Sequence, residues 1–143
     1  MDLQVIHVVR DLDAASGGPS RSVPALAEAQ AQQDGVDAAV LFRHRGNPLA
    51  ELARGRVEYQ AVAGSVGSSL ARAQGPAEIP RILHLHGLWS PTLHRAVRYA
   101  RQHGLPYVVS TRGMLADWAL RHRAIKKRVG WALYQRKDLR RAD

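Results

Sequence analysis

A chain of 143 residues leaves room for one domain, and a composition 45% hydrophobic and 23% charged is that of a globular protein, which excludes wholesale disorder. The absence of cysteine excludes a disulfide scaffold, a zinc-thiolate site and a thiol nucleophile; no apolar run reaches the eighteen or so residues of a membrane helix. The formal charge is +9, and most of it lies at one end: Arg121 to Arg141 holds nine basic residues and one acid, so the rest of the chain is close to neutral.

Leu3–Val9 (LQVIHVV) is a short, β-branched run and predicts a first strand. A loop rich in Ser, Gly and Asp follows, and SVPALAEAQAQQ predicts a helix that stops at Asp34-Gly35. Residues 37–42 (DAAVLF) predict a second strand. Residues 43–55 carry a turn signal at Arg45-Gly46-Asn47-Pro48 and one short helix at most. Residues 56–62 (RVEYQAV) alternate and predict a third strand. Residues 64–76 predict a loop with a short helix. Residues 80–86 (PRILHLH) predict a fourth strand. The next helix is predicted over 91–103, with Ser90 as N-cap, Pro91 in the first turn and Gly104 past the end. Residues 105–110 (LPYVVS) predict a fifth strand, and one long helical pattern runs from Gly113 towards the C-terminus. Strand and helix alternate throughout, so the expected fold is a doubly wound α/β domain with a mostly parallel sheet flanked by helices.

Ligands of such sheets bind outside the carboxyl ends of the strands. That points to three loops. After strand one, Ser16-Gly17-Gly18-Pro19-Ser20 joins a glycine pair to a helix start, which suits an anion and equally suits a bare turn. It has neither dinucleotide-fingerprint nor Walker spacing. After strand four, His84 and His86 fall on one face of the strand. They read as a metal pair or as a packed histidine beside a polar strand-end residue. No third ligand stands at a recognisable spacing, although His7 is a possible neighbour, so no metal is expected. Trp89 reads as a platform for a sugar or base, or as cover for the sheet edge. After strand five, Arg112 beside Gly113 is placed to hold a phosphate or to sit solvated on the surface.

The tail reads as a basic amphipathic helix. Leu115, Trp118, Ala119, His122, Ile125, Val129, Ala132 and Leu133 make one apolar face at helical spacing. Leu120, Ala124, Trp131 and Tyr134 make a second patch. Two apolar sides beside dense cationic charge predict a helix that docks on its own sheet and also touches something else. An anionic bilayer met through Lys126, Lys127, Arg128 and Trp131 is one candidate. A non-catalytic basic module that binds nucleic acid is the alternative, against which stands the near-neutral remainder of the chain.

Taken in order, VIHVVRDLDAASGGPSRSVPALAEA, ILHLHGLWSPTLHRAVRYARQHGLPYVVS, TRGMLADWAL, RHRAIKKRVGWALYQR and the closing DLRRAD resemble the N-terminal half of a family 4 glycosyltransferase of the GT-B class. The resemblance covers the first forty-odd residues and roughly 80 to the end. It implies one Rossmann-like half of a two-domain enzyme, over residues 1–143, that receives the acceptor while a C-terminal half holds the nucleotide-sugar. Gly17 and Gly18 match the glycine pair near the donor's phosphates and sugar, and His86 and Gly87 match a loop lining the cleft. Arg112 stands where many members carry a histidine before glycine, and implies a grip on phosphate instead. The resemblance thus implies catalytic roles for His86 and Arg112, donor contacts at Gly17, Gly18 and Arg112, and acceptor contacts at Trp89 and Ser20. It implies no metal and no cofactor beyond the nucleotide-sugar co-substrate, and a glycan or lipid-linked acceptor. The opening MDLQVIHVV lacks a secretory leader, so the expected place is the cytoplasm, peripheral at the inner face of the membrane. The donor-binding motif is not among these residues. The expectation is therefore a truncated or split enzyme, inactive alone, with an exposed sheet edge.

Overall fold

A computed structural model describes residues 2–43, 55–73, 75–76 and 78–143. Five strands form one wholly parallel sheet: β1 (Leu3–Val9), β2 (Val36–Phe42), β3 (Glu58–Ala61), β4 (Arg81–His86) and β5 (Tyr107–Ser110). Their spatial order is β3-β2-β1-β4-β5, the Rossmann-like arrangement with its switch point between β1 and β4. Parallel strands must be covered on both faces, which is why β1 is buried from Gln4 to Val9 rather than on alternate residues. On one face α1 (Gly18–Ala31) lays Val23 and Ala27 over Val9, Ala38, Val40 and Phe42. On the other, α2 (Val66–Ala73) and α3 (Pro91–Gln102) pack Leu70, Ala96 and Val97 against Ile6, Val8, Leu41, Leu83 and Leu85.

The predicted strands all form, β3 and β5 being shorter than expected. Helix α1 begins four residues before the predicted Ser22. Pro19 is compatible with a first helical turn, and Pro24, which reads as an early-turn residue, lies inside the helix. The turn signal at 45–48 lies outside the described residues.

The larger correction concerns the C-terminal helical pattern. It is not one helix. It breaks into α4 (Asp117–Arg121) and α5 (Ala124–Gly130), with Arg123 at φ 53° between them. A π-helical turn (Trp131–Gln135) then leads into α6 (Arg136–Arg140). The break and the wider turn each rotate the register, so of the first apolar face Ala119 is buried, together with Gly130, Gln135 and Asp138, while Trp118 is 76% exposed, Ile125 80% and Leu133 68%. Polar contacts fasten this segment. Asp138 meets His94 Nδ1 at 2.8 Å, Tyr107 donates its hydroxyl to the Asp138 carbonyl at 2.7 Å, and the Trp89 N–H donates to Gln135 Oε1 at 2.9 Å. Strand β5 is the edge of the described sheet. Asp143 takes both backbone groups of Tyr107, while Val108 remains 36% exposed.

The two halves of this account separate in a denaturation experiment. Leu83→Ala, in a fully buried site, is expected to cost about 2–5 kcal/mol in urea unfolding. Ile125→Ala is expected to stay within about 0.5 kcal/mol of the parent. A large cost at Ile125 would mean that its face is covered.

Candidate functional site at the carboxyl ends of the strands

The β1–β4 register sets His7 opposite His84 and Val9 opposite His86. Side chains alternate across a strand, so His7, His84 and His86 all face the α1 side of the sheet. The three rings touch, with centroids 4.0–5.2 Å apart. The third histidine that spacing along β4 did not supply therefore comes from β1.

A hydrogen-bonded chain runs through this cluster. Arg112 Nη2 lies 2.8 Å from His86 Nδ1, His86 Nε2 lies 2.9 Å from His7 Nδ1, and His7 Nε2 lies 2.7 Å from Gln30 Oε1. A guanidinium only donates, so His86 Nδ1 accepts. Neutral His86 then carries its proton on Nε2 and donates to His7 Nδ1. His7 in turn donates from Nε2 to the Gln30 carbonyl oxygen. One polarity satisfies every link. Burial pushes both rings below the usual histidine range, His7 to about 4 against the opposing pull of its Gln30 hydrogen bond and His86 to about 2, and the Arg112 guanidinium pushes the same way as burial. His84, held by Ser110 Oγ at 2.7 Å, is lowered by burial and by Arg112.

This arrangement decides what the cluster does chemically. The facing nitrogens of the three histidines lie within 4.8 Å of one another, which is metal-site spacing. Yet both ring nitrogens of His7 and of His86 already have partners. A cation would have to break the His7–His86 bond and turn the His86 proton towards Arg112. The donor set fits a neutral relay better than a metal. For the same reason His86 has no free ring nitrogen with which to move a substrate proton. What His86 does in this arrangement is hold Arg112.

Arg112 is exposed, and Ser22 Oγ at 3.1 Å holds its second arm. Two of its five N–H donors are used. Its φ of 52° is in the left-handed region, which costs a non-glycine residue about 1 kcal/mol or more. Among the described residues three non-glycines adopt positive φ: Trp89, Arg112 and Arg123. All three line one cavity of about 1090 Å³ at the carboxyl ends of β1, β4 and β5. Gly18, Ser22, His86 and Gly87 line it too. A Cβ at Gly18 would meet nothing within 4 Å, so packing does not require glycine there and the α1 amino end stays open. Gly87, at φ 103°, passes Met114 so closely that a Cβ would lie 3.2 Å from the methyl carbon.

The other expected site residues fall as follows. Gly17, at φ 84°, makes the turn into α1 and does not line the cavity. Ser20 is not on the wall, because it is buried and its hydroxyl donates to the Gly17 carbonyl at 2.6 Å. Trp89 lines the cavity, but its ring packs close to Gly130 and is tilted against Trp131 at 6.3 Å. Lys126 and Lys127 line the same cavity, while Trp131 and Arg128 line a second one of about 620 Å³ across Trp89 and Lys127. Lys127 also donates to the Ala119 carbonyl. Gln30 and Ser22 are the residues that sequence reasoning missed. Both are unremarkable helix residues, and only the fold sets them against His7 and Arg112.

Comparison with known proteins finds no matching family model, no matching curated protein and no matching solved structure. The fold itself defines the class, a Rossmann-like α/β domain with an arginine-bearing cavity at its switch point.

Neutral burial of two histidines sets a pH dependence. Their ordinary value is 6.5, and above it both are neutral folded or unfolded, so they contribute nothing. Below it the unfolded chain takes up protons that the folded cluster refuses. Stability should therefore fall as pH drops from 6.5 towards about 4 for His7, and further for His86. The expected slope is about 1.4 kcal/mol per pH unit for each histidine, read by urea unfolding. His86→Gln should remove about half of it. Stability that does not change between pH 7 and 5 would contradict neutral burial.

Proposed function

We propose that this chain is the acceptor-side half of a retaining glycosyltransferase, moving a sugar from a nucleotide-sugar to a glycan or lipid-linked acceptor. The observation that carries the reading is the convergence of Gly18, His86 and Arg112, from three separate loops, on one cavity wall. In the mechanism, departure of the sugar leaves a diphosphate whose growing charge needs fixed donors. Arg112 supplies them, pre-set by Ser22 and by the neutral His86–His7–Gln30 chain. The open amino end of α1 at Gly18 adds backbone dipole to the same place. The nucleotide would be held by a second Rossmann-like domain, which these 143 residues do not contain. No metal or further cofactor enters this reading.

The same reading sets the chain against an anionic membrane surface. Supporting this, Trp118, Ile125 and Leu133 stand exposed beside Lys126 and Arg128. No described helix is long and apolar enough to cross a membrane.

The deciding assay is turnover of UDP-, GDP- and ADP-sugars by the purified chain, alone and mixed with a separately expressed donor-type domain. The chain alone should be inactive, and the mixture should transfer sugar, with Arg112→Gln lowering the rate by about 10²-fold or more. Turnover by the chain alone would overturn the two-half reading. Nanomolar duplex binding that collapses with salt would replace it with a nucleic-acid module. For the membrane part, flotation on anionic vesicles should be lost when Lys126, Lys127 and Arg128 are all changed to Glu. Unchanged flotation would remove that part.

A further inference from the structure

The cavity at Arg112 is lined by two chemically distinct sets of side chains. One is cationic: Arg112, which offers unused donors, with Arg123, Lys126 and Lys127. Asp11 is the one acid among the lining residues; Arg10 Nε pairs with it at 2.8 Å, so it does not neutralise the others. The other set is apolar: Leu88, Leu93, Met114, Trp118, Val129 and Leu133. Val129 is 53% exposed and Leu133 68%, although both face a concave space rather than a flat surface. A polar sugar or a free phosphate leaves that apolar half wetted. A purely apolar molecule leaves the cations unanswered.

We propose that this cavity binds a single-chain amphiphile with a phosphate headgroup, the phosphate on Arg112 and the alkyl or prenyl chain along Met114, Val129 and Leu133. Charge complementarity favours the phosphate, since the lining carries five Lys and Arg side chains against one paired acid. The exposed apolar surface favours a lipid over an acidic peptide. Trp118, also on the lining, and Ile125 add further exposed apolar surface on the same segment. As an acceptor site this rests on the sugar-transfer reading above, with Arg112 then serving both the acceptor's phosphate and the leaving diphosphate; the binding itself does not rest on it.

The test is titration of the purified chain with dodecyl phosphate below its critical micelle concentration, followed by calorimetry and by the fluorescence of the wall tryptophan. Expected is saturable one-to-one binding, at least about tenfold tighter than butyl phosphate, because each buried methylene adds affinity. Inorganic phosphate and dodecyl maltoside, which each lack one of the two parts, should also bind at least about tenfold more weakly than dodecyl phosphate. Val129→Asp combined with Leu133→Asp should abolish the advantage of dodecyl over butyl phosphate and leave the folded circular dichroism spectrum intact, since both positions are exposed. Arg112→Gln should weaken both alkyl phosphates alike. Affinity independent of chain length, binding unchanged in the double variant, or adsorption to anionic vesicles with no binding of the monomeric amphiphile would each overturn the proposal. Sugar transfer to a soluble oligosaccharide together with failure of dodecyl phosphate would remove the lipid alone. Dodecyl phosphate binding without transfer in the two-domain mixture would remove the transferase reading alone.

Discussion

The site depends on one constraint, the line of hydrogen bonds that ties an exposed arginine to the interior of the sheet. Arg112 occupies a left-handed conformation on a short loop, a position from which a long side chain would ordinarily wander. It is held because His86 can only accept from it, and His86 can only accept because His7 and Gln30 fix where its proton lies. Protonating either buried ring would reverse a donor and free the guanidinium. Burial prevents that by driving both imidazoles to the neutral form.

The fold supplies the geometry for this chain cheaply. Parallel pairing of β1 with β4 brings residues 79 positions apart into contact, and α1 closes over the same face to deliver Gln30. The same pairing reverses strand order between β1 and β4, which opens a crevice where two loops part. Gly18, Gly87 and Arg112 meet there because their strands end at that crevice. The broken C-terminal helices then wall the opening with apolar and cationic side chains together.

Much of this architecture was legible in the residues. LQVIHVV and ILHLH announce buried parallel strands, and Ser90-Pro91 marks a helix start that the structure keeps. The position of the three loops at the carboxyl ends of the strands was legible too, because strand polarity alone determines which ends face the crevice. What could not be read was the partnering. No spacing rule links His7 to His86, or Gln30 to either, since the contact is made across the sheet rather than along it. The tail was misread for a different reason. A left-handed Arg123 and a π-helical turn are single-residue departures, and each shifts the helical register of everything after it. A pattern scored at constant period puts Ile125 and Leu133 towards the core, where the structure leaves them exposed.

The account's central claim is that the cluster is neutral and polarised in one direction. Nitrogen-detected magnetic resonance of the histidine side chains at pH 6 reads it directly. The account requires His7 and His86 to be neutral at that pH, each with its proton on Nε2 and a bare Nδ1, and with the His86 Nδ1 signal moving when Arg112 is changed to Gln. An imidazolium at either position, or a proton on Nδ1 of His86, would contradict it.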